Sequence, residues 1–165
     1  MNKTFRFKYN SLSYAPRKKK VINCHFKMDN IKQGITIAHT IISHDFLKMQ
    51  RFVVLCPLNV CENWQIECNK WTENLDQPLD SWNLHSTTDA SERLDMAKDW
   101  QNKGGLLIMG YTMWRNLTTG KNVTKKVKRL IPKFQDILLK QSDVIICDEG
   151  HMLKNADSAL SKSRD

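Results

Sequence analysis

The sequence predicts an α/β fold with a mostly parallel sheet flanked by helices. Short apolar runs of strand character, such as Phe52–Cys56 and Leu106–Met109, alternate with longer stretches in which apolar residues recur at helical spacing. This alternation is typical of parallel sheets, because parallel strands need a crossover connection between them. The chain has 165 residues, about the length of one domain. Ligand sites of such sheets lie at the carboxyl ends of the strands, so residues that follow each apolar run are the first candidates for function.

Local patterns justify each predicted element in turn. From Gly34 to about Lys48 the apolar residues follow a helical period, and the strand Phe52–Cys56 comes next and is closed by Pro57. Asn59 is a suitable N-cap for the helix after it. The other predicted elements are a helix from about 59 to 71, a short strand at about 81–85, a helix at about 89–103, the strand Leu106–Met109 ending at Gly110, and the strand Val144–Cys147.

A basic amphipathic segment runs from Val123 to Lys140. Pro132 interrupts its helical pattern, so two helical pieces are expected, the second with Pro132 at its first position. The basic face of this segment is either simply solvated or in contact with nucleic acid. It consists of Lys125, Lys126, Lys128, Arg129 and Lys133.

The composition favours a polyanionic partner. The chain contains 26 Lys and Arg against 17 Asp and Glu, a formal net charge of +9, which is a balance found in many nucleic-acid-binding domains. Residues 1–27 are polar and basic without a clear period, so a mobile segment is expected there, ahead of a folded domain at 28–165. The run Arg17–Lys20 is either part of a solvated terminus, a nuclear-import signal or a phosphate-binding arm.

Cysteine usage and hydropathy exclude several classes of protein. The five cysteines are odd in number and include no C-x-x-C pair, so we expect reduced thiols rather than a disulfide framework or a zinc site. The amino-terminal residues lack the apolar core of a signal peptide, and no uninterrupted apolar stretch is long enough to span a bilayer. We therefore expect a soluble protein of the cytosol or nucleus with no membrane partner.

Two adjacent carboxylates, Asp148 and Glu149, directly follow the apolar strand that ends at Cys147. In a nucleotide-hydrolysing site one such carboxylate holds Mg²⁺ through water, and the other orients or deprotonates the attacking water. The simpler alternative is a strand that ends in an acidic turn. Hydrolysis also needs a phosphate-binding loop at the start of an upstream helix, and the candidate segment is Met28–Ala38.

Several ordered segments together carry a family resemblance. They are Met28–Ala38 (MDNIKQGITIA), Val53–Asn59 (VVLCPLN) with the pairs Asn63-Trp64 and Lys70-Trp71 after it, Gly110–Leu117 (GYTMWRNL) and Asp148–Asn155 (DEGHMLKN). In order and spacing they resemble the Swi/Snf helicase-like ATPases of helicase superfamily two, and within them the ATRX-type chromatin remodellers. Gly150, third in the Asp-Glu-Gly-His box, is the ATRX-type variant. The resemblance covers about residues 28 to 162, and an ordered set of motifs is far more specific than any single one.

The resemblance implies a RecA-like P-loop NTPase lobe, the first of two, with 28–165 as a partial helicase ATP-binding lobe that ends just after the Asp-Glu-Gly-His box. It also implies ATP and Mg²⁺ as cofactors, double-stranded DNA or chromatin and a second lobe or other protein as partners, and a location in the nucleus. By this resemblance Asp148 binds the metal, Glu149 acts on water, and His151 couples the metal site to the second lobe. The implied nucleotide-binding positions are Met28, Lys32 and Gln33, and the implied nucleic-acid-binding positions are Pro57, Asn59, Arg115 and Lys154.

The phosphate-binding segment departs from the family. Its usual sequence, Met-Gly-Leu-Gly-Lys-Thr-Leu-Gln-Thr-Ile-Ala, has two glycines that are replaced here by Asp29 and Ile31, and the hydroxyl residue that binds Mg²⁺ is replaced by Gln33. Ile31 would fill space that the phosphates need, and Asp29 would add negative charge beside them. The family's second lobe, which supplies arginines that stabilise the transferred phosphoryl group, is not in this sequence. We therefore expect little or no ATP hydrolysis by this chain alone.

Three interpretations follow from the sequence. In the first, the chain is the first lobe of an ATRX-like DNA translocase, which predicts that Lys32 faces Asp148 across a cleft. In the second, it is a non-hydrolysing nuclear module that keeps contacts with DNA or protein. In the third, it is the non-functional truncated product of a diverged gene copy.

Trp64 and Trp71 are expected to pack in the core or at an interface, because tryptophans at helical spacing usually bury area.

Overall fold

The structure is a computed structural model that describes residues 20–24, 30–44 and 48–149. The strands in these residues are β1 (Lys20–Cys24), β2 (Arg51–Cys56), β3 (Ser81–Asn83), β4 (Gly105–Gly110) and β5 (Val144–Asp148). They form one sheet in the order β1-β5-β2-β4-β3, and every pair of neighbours is parallel. The predicted α/β fold with a parallel sheet flanked by helices is therefore confirmed.

The helices in the described part of the chain connect these strands. They are α1 (Asn30–Ser43), α2 (Cys61–Thr72), α3 (Ala90–Lys103), α4 (Tyr111–Thr119), α5 (Lys125–Lys128) and α6 (Ile131–Gln135), with a 3₁₀ turn at Leu58–Val60 before α2 and a π-helical turn at Asp136–Gln141 after α6. None of the helices in this part of the chain is long and apolar enough to cross a membrane.

Helices cover both faces of the sheet. On one face α1 and α2 pack against the strands through a buried cluster that includes Ile35, Trp64 and Val54. On the other face α3, α4 and α6 pack through a cluster that includes Phe134 and Val53. Val53 and Val54 enter different clusters because successive side chains of a strand point to opposite faces. Every residue of β4 and β5 is buried, as expected for a parallel sheet that helices cover on both sides.

The segment predicted to be aperiodic contains a strand. β1 pairs with β5, with Lys20 beside Val144 and Cys24 beside Asp148. The prediction for 1–27 is therefore wrong for these five residues. The strand is short, follows a basic run and contains the polar residue Asn23, so its apolar pattern is too brief to stand out from the sequence. The other residues of 1–27 lie outside the described part of the chain.

The starts of three helices test the sequence-based assignment of caps. The prediction of Asn59 as an N-cap is wrong, because Asn59 lies in the 3₁₀ turn and the N-cap of α2 is Val60, which makes no side-chain capping bond. α3 begins as predicted, since the carboxylate of its N-cap Asp89 accepts hydrogen bonds from two backbone N–H groups of the first turn. The expected division of this segment into two helical pieces is confirmed, but α6 begins at Ile131, so Pro132 is its second residue and not its first as predicted.

Two other helices differ from the prediction. α1 begins at Asn30 and ends at Ser43, whereas the sequence pattern predicts a helix from Gly34 to about Lys48. The apolar period starts earlier than predicted, with Ile31 already buried in the core. α4 is not predicted from periodicity at all, because its nine residues mix polar and aromatic side chains. It begins directly after β4, so its first residue lies at the carboxyl edge of the sheet.

Candidate functional site

Asp148 is the last residue of β5, at the carboxyl edge of the sheet. Its residue surface is only 6% exposed, and its Oδ2 accepts a hydrogen bond of 2.9 Å from the indole Nε1 of Trp64. Burial raises the pKa of this carboxyl, and the bond from Trp64 partly opposes that effect. The acidic residue predicted to bind a metal is thus turned into the protein interior, towards α2.

Trp64 reaches Asp148 because α1 and α2 approach each other closely. Its side chain is fully buried between the two helices and the sheet. A Cβ atom at Gly34 of α1 would lie 2.5 Å from the Cη2 atom of the indole ring, so only glycine leaves room for the ring at this position. A buried indole N–H needs an acceptor, and the Asp148 carboxylate supplies it. Trp64 therefore packs in the core, as predicted, and it also donates a hydrogen bond to Asp148.

A second aromatic residue holds the backbone of Asp148. Tyr111, the first residue of α4, donates a hydrogen bond from its hydroxyl to the carbonyl oxygen of Asp148. Burial raises the pKa of Tyr111 well above its usual value, so the hydroxyl keeps its proton. Asp148 is thereby fixed from both neighbouring layers, by Trp64 through the carboxylate and by Tyr111 through the main chain. Sequence reasoning missed Tyr111, although an aromatic residue directly after a strand-ending glycine was an available signal.

Two thiols lie beside this site. The Sγ atoms of Cys56, at the end of β2, and Cys61, at the start of α2, are 3.4 Å apart in the core. The hydrogen bond between them, together with burial, raises the pKa of Cys56, and the same bond lowers the pKa of Cys61. Both are free cysteines. They sit at the two ends of the turn that contains Pro57 and Asn59, and the negative charge of Asp148 also contributes to the raised pKa of Cys56.

His85 lies at the same edge of the sheet, two residues after β3. Its Nε2 accepts a hydrogen bond of 3.0 Å from the backbone N–H of Gly110. Burial lowers the pKa of His85, and the positive charge of Arg93 lowers it further, so the ring is neutral and accepts this bond. His85 was also missed at the level of sequence, where its place at the end of a predicted strand was the available signal.

Glu149 follows β5 directly. It is half-buried, and its backbone has φ of +56°, the left-handed region that non-glycine residues seldom occupy. The turn therefore changes direction at Glu149, immediately after the buried Asp148. Gly150 and the predicted site residues His151 and Lys154 lie outside the described residues.

The two described residues that were predicted to bind the nucleotide, Lys32 and Gln33, point away from Asp148. α1 directs Ile31, Gly34 and Ile35 towards the core, which leaves Lys32 and Gln33 exposed on the outer side of the helix. The ammonium of Lys32 lies 4.6 Å from the ring centroid of Trp71. The expected arrangement of Lys32 facing Asp148 is therefore not what the structure shows. Met28 lies outside the described residues.

Trp71 itself is not a core residue. Its side chain is 47% exposed on α2, with the indole N–H donating to the Glu67 carboxylate at 2.7 Å. Of the two expected places for Trp71, the core is wrong and an interface stays a prediction; the ring lies under the Lys32 ammonium. The predicted nucleic-acid-binding residues also lie towards solvent: Asn59 and Arg115 are exposed, and Pro57 is half-buried.

Comparison with known proteins identifies the family. The family model described as SNF2-related domain matches residues 11–164. The chain belongs to the SNF2-related domain family. The protein named Transcriptional regulator ATRX of Homo sapiens is 40% identical over 134 residues, which cover 79% of this chain and 5% of that protein. Transcriptional regulator ATRX homolog of Drosophila melanogaster is 28% identical over 133 residues, 79% of this chain and 10% of that protein.

A plant relative extends the same comparison. Protein CHROMATIN REMODELING 20 of Arabidopsis thaliana is 32% identical over 131 residues, 79% of this chain and 9% of that protein. The chain thus spans a tenth or less of the length of these curated relatives. No solved structure matches it. The resemblance to ATRX-type members of the helicase-like family is confirmed, and the parallel sheet agrees with a RecA-like lobe of an SNF2-related domain.

The described residues of this SNF2-related domain do not fit a bound Mg-nucleotide. A phosphate-binding loop requires small residues, converging backbone N–H groups and a lysine close to the metal-binding carboxylate. Here Ile31 occupies the core, Lys32 contacts Trp71 and Asp148 contacts Trp64. Within the described ranges there is also no group of three or more His, Cys, Asp and Glu side chains that could hold a metal ion.

Proposed function

We propose that this chain is the first lobe of an ATRX-like, ATP-dependent DNA translocase or chromatin remodeller in which the phosphate half of the nucleotide site has degenerated. By itself it binds Mg-ATP weakly or not at all and hydrolyses little or none. One observation carries the proposal: the first turn of α1 places Ile31 in the core and Lys32 over Trp71, away from the buried Asp148.

The physical requirements of phosphoryl transfer support this proposal. Hydrolysis depends on positive groups and a metal that neutralise charge on the phosphates, and on residues that position the attacking water. Lys32 is the cation that the family pattern assigns to this task, and its ammonium is engaged by an aromatic ring on the outer surface. Asp148 is buried and its Oδ2 already accepts the bond from Trp64, so a metal would have to bind the remaining lone pairs of a desolvated carboxylate.

The proposed partners are double-stranded DNA or chromatin, with a second lobe or another protein, in the nucleus. Three observations support this: membership of the SNF2-related family, relatives that are named as a transcriptional regulator and as a chromatin remodelling protein, and the net charge of +9. The proposed DNA contacts are Pro57, Asn59 and Arg115, which lie on the turn after β2 and on α4, together with Lys154.

Calorimetric titration with Mg-ATP tests whether this chain binds the nucleotide. We expect no saturable heat from the chain up to millimolar nucleotide. The variant Asp29→Gly/Ile31→Gly/Gln33→Thr should bind, provided that thermal unfolding shows it to be folded after the loss of the Ile31 side chain from the core. Adding Asp148→Asn to that variant should remove the dependence on Mg²⁺. Saturable binding by the unsubstituted chain would contradict the proposal.

The second candidate function is a non-hydrolysing nuclear module that binds DNA or protein and no longer needs a nucleotide. The favouring observation is that Asp148 is built into the core through Trp64 and Tyr111, as a structural residue would be. The same titration separates the candidates. Binding restored in the folded loop variant indicates that the acidic half is still competent, whereas a folded loop variant that fails to bind supports the module.

A further inference from the structure

A cationic surface lies on the segment that runs from the end of α4 through α5 into α6. It consists of Lys121, Lys125, Lys128, Arg129 and Lys133, all of which are exposed. No Asp or Glu occurs between positions 121 and 133. Within the part of the chain that the structure describes, none of the five forms an ion pair, although other surface lysines do. Five neighbouring positive charges without a compensating carboxylate need an anionic partner or remain mutually repulsive.

Packing fixes the direction in which these side chains point. Thr124 caps α5 by accepting a hydrogen bond from the backbone N–H of Val127, and helical bonds continue from Val127 through Leu130 into α6. Ile131 and Phe134 are buried in the cluster shared with α3 and α4, and Val127 and Leu130 pack against it. The apolar side of the segment is thus anchored to the core, so the basic side must face solvent.

Lys126 belongs to the same segment but, unlike the five residues of the cationic surface, it forms an ion pair within the described part of the chain. Lys126 forms an ion pair of 2.6 Å with Asp89, the N-cap of α3. This hydrogen bond is the main cause that lowers the pKa of Asp89 to about 2. Since α3 begins shortly after β3 ends, the ion pair ties the cationic surface to the carboxyl edge of the sheet.

We propose that this cationic surface binds the phosphate backbone of duplex DNA. The proposal deepens the proposed function, on which it rests, by giving the DNA partner a surface distinct from the turn after β2. From Lys125 to Lys133 a helical path rises about 12 Å, which matches about three nucleotides of one strand. Phosphate contacts need flexible cations at this spacing and no apolar anchor, because they position the protein without reading bases.

The surface is poorly suited to an acidic protein partner. Protein interfaces usually contain a buried apolar or aromatic centre. The exposed large hydrophobic side chains of the described residues are Leu58, Ile66, Trp71, Leu75 and Leu139, none of which lies between positions 121 and 133. Lysine-rich surface without such a centre is what sequence-independent binding to a polyphosphate requires.

Fluorescence anisotropy with a labelled duplex of about 20 base pairs tests the proposal on the full chain. The test variant is Lys125→Gln/Lys128→Gln/Arg129→Gln, and glutamine preserves helix propensity. The control variant, Lys70→Gln/Lys98→Gln/Lys103→Gln, removes three exposed lysines from α2 and α3 and lowers the net charge equally. We expect the test variant to lose at least about tenfold in affinity and to lower the slope of log affinity against log salt by about 2.7, the value for three phosphate contacts.

Three results would overturn the proposal. The first is equal loss in both variants, which would show that only net charge matters, and the second is a test variant that binds like the unsubstituted chain. The third is displacement of the duplex by poly-L-glutamate at equal charge concentration, which would assign the surface to an acidic polypeptide. The DNA-binding result is independent of the nucleotide titration. Binding of Mg-ATP by the unsubstituted chain would contradict the proposed function but would not contradict DNA binding by this surface.

Discussion

The acidic side and the phosphate side of the SNF2-related site lie on neighbouring elements, yet the described residues hold them in different ways. Asp148 is buried and fixed through Trp64 and Tyr111. Lys32, by contrast, lies on the surface of α1, and its ammonium contacts an exposed ring. Asp148 is part of the core, so selection for stability alone can maintain it. The exposed Lys32 contributes little to stability, and nothing in the described geometry around it gathers phosphates.

The largest effect on stability is expected on the acidic side, when Trp64 is removed. Trp64→Ala should lower the free energy of unfolding by about 3–5 kcal/mol, because a fully buried ring is lost and Asp148 loses its hydrogen-bond donor. Trp64→Phe keeps most of the ring and should cost about 1–3 kcal/mol. Urea unfolding measures both. The control Trp71→Ala removes a half-exposed ring of the same helix, and a cost equal to that of Trp64→Ala would refute the assigned difference between the two tryptophans.

The next largest effect is expected where α1 meets that ring. Gly34→Ala gains about 1 kcal/mol of helix propensity, but the new methyl group would lie 2.5 Å from the indole of Trp64. We expect a net loss of about 1–3 kcal/mol from the overpacking. Gln33→Ala, on the exposed side of the same turn, should be neutral or slightly stabilising. Thermal unfolding of the two variants checks the difference, and a stabilised Gly34→Ala would show that the ring is free to move.

A smaller effect is expected at the far end of the sheet edge. The variant His85→Gln replaces the neutral ring that accepts the bond from the backbone N–H of Gly110. It should lower the free energy of unfolding by about 1 kcal/mol near pH 7.5, because that bond is weakened. The pKa of folded His85 lies below its usual 6.5. As the pH falls, the unfolded chain is therefore protonated first, so the stability that His85 contributes is complete above about pH 6.5 and is lost below it. Unfolding free energies measured from about pH 7.5 to 5.5 should fall more steeply for the unsubstituted chain than for His85→Gln. Parallel curves would disprove this assignment.

The smallest effect tests the phosphate side. Lys32→Met removes the cation above Trp71 and should lower the stability by only about 0.5 kcal/mol, since the pair is solvent-exposed. Lys70→Met on α2 provides an exposed control without a described ring contact. A double-mutant cycle with Trp71→Leu isolates the pair. A loss as large as that of Trp64→Phe would mean that Lys32 has a structural role comparable to that of the acidic side.

The sequence predicted most of the sheet but not the directions in which Asp148 and Lys32 point. β2, β4 and β5 are continuous apolar runs and were predictable, whereas the five residues of β1 are held by pairing with β5, which local periodicity does not reveal. The bond between Trp64 and Asp148 joins residues 84 positions apart, so no local pattern could have predicted it. Lys32 is different, because the spacing of Ile31 and Ile35 was an available signal that this turn would direct Lys32 outwards, and the sequence-based prediction did not use it.

The indole N–H resonance of Trp64 tests most directly whether Mg-ATP reaches Asp148 in this chain. The resonance is assigned by comparison with Trp64→Phe. This proton is donated to Asp148 and therefore reports on any metal or nucleotide that reaches the carboxylate. With millimolar Mg-ATP we expect an unchanged resonance in the unsubstituted chain and a shifted one in the folded Asp29→Gly/Ile31→Gly/Gln33→Thr variant. A saturable shift in the unsubstituted chain would contradict the claim that the acidic half has lost its phosphate partner.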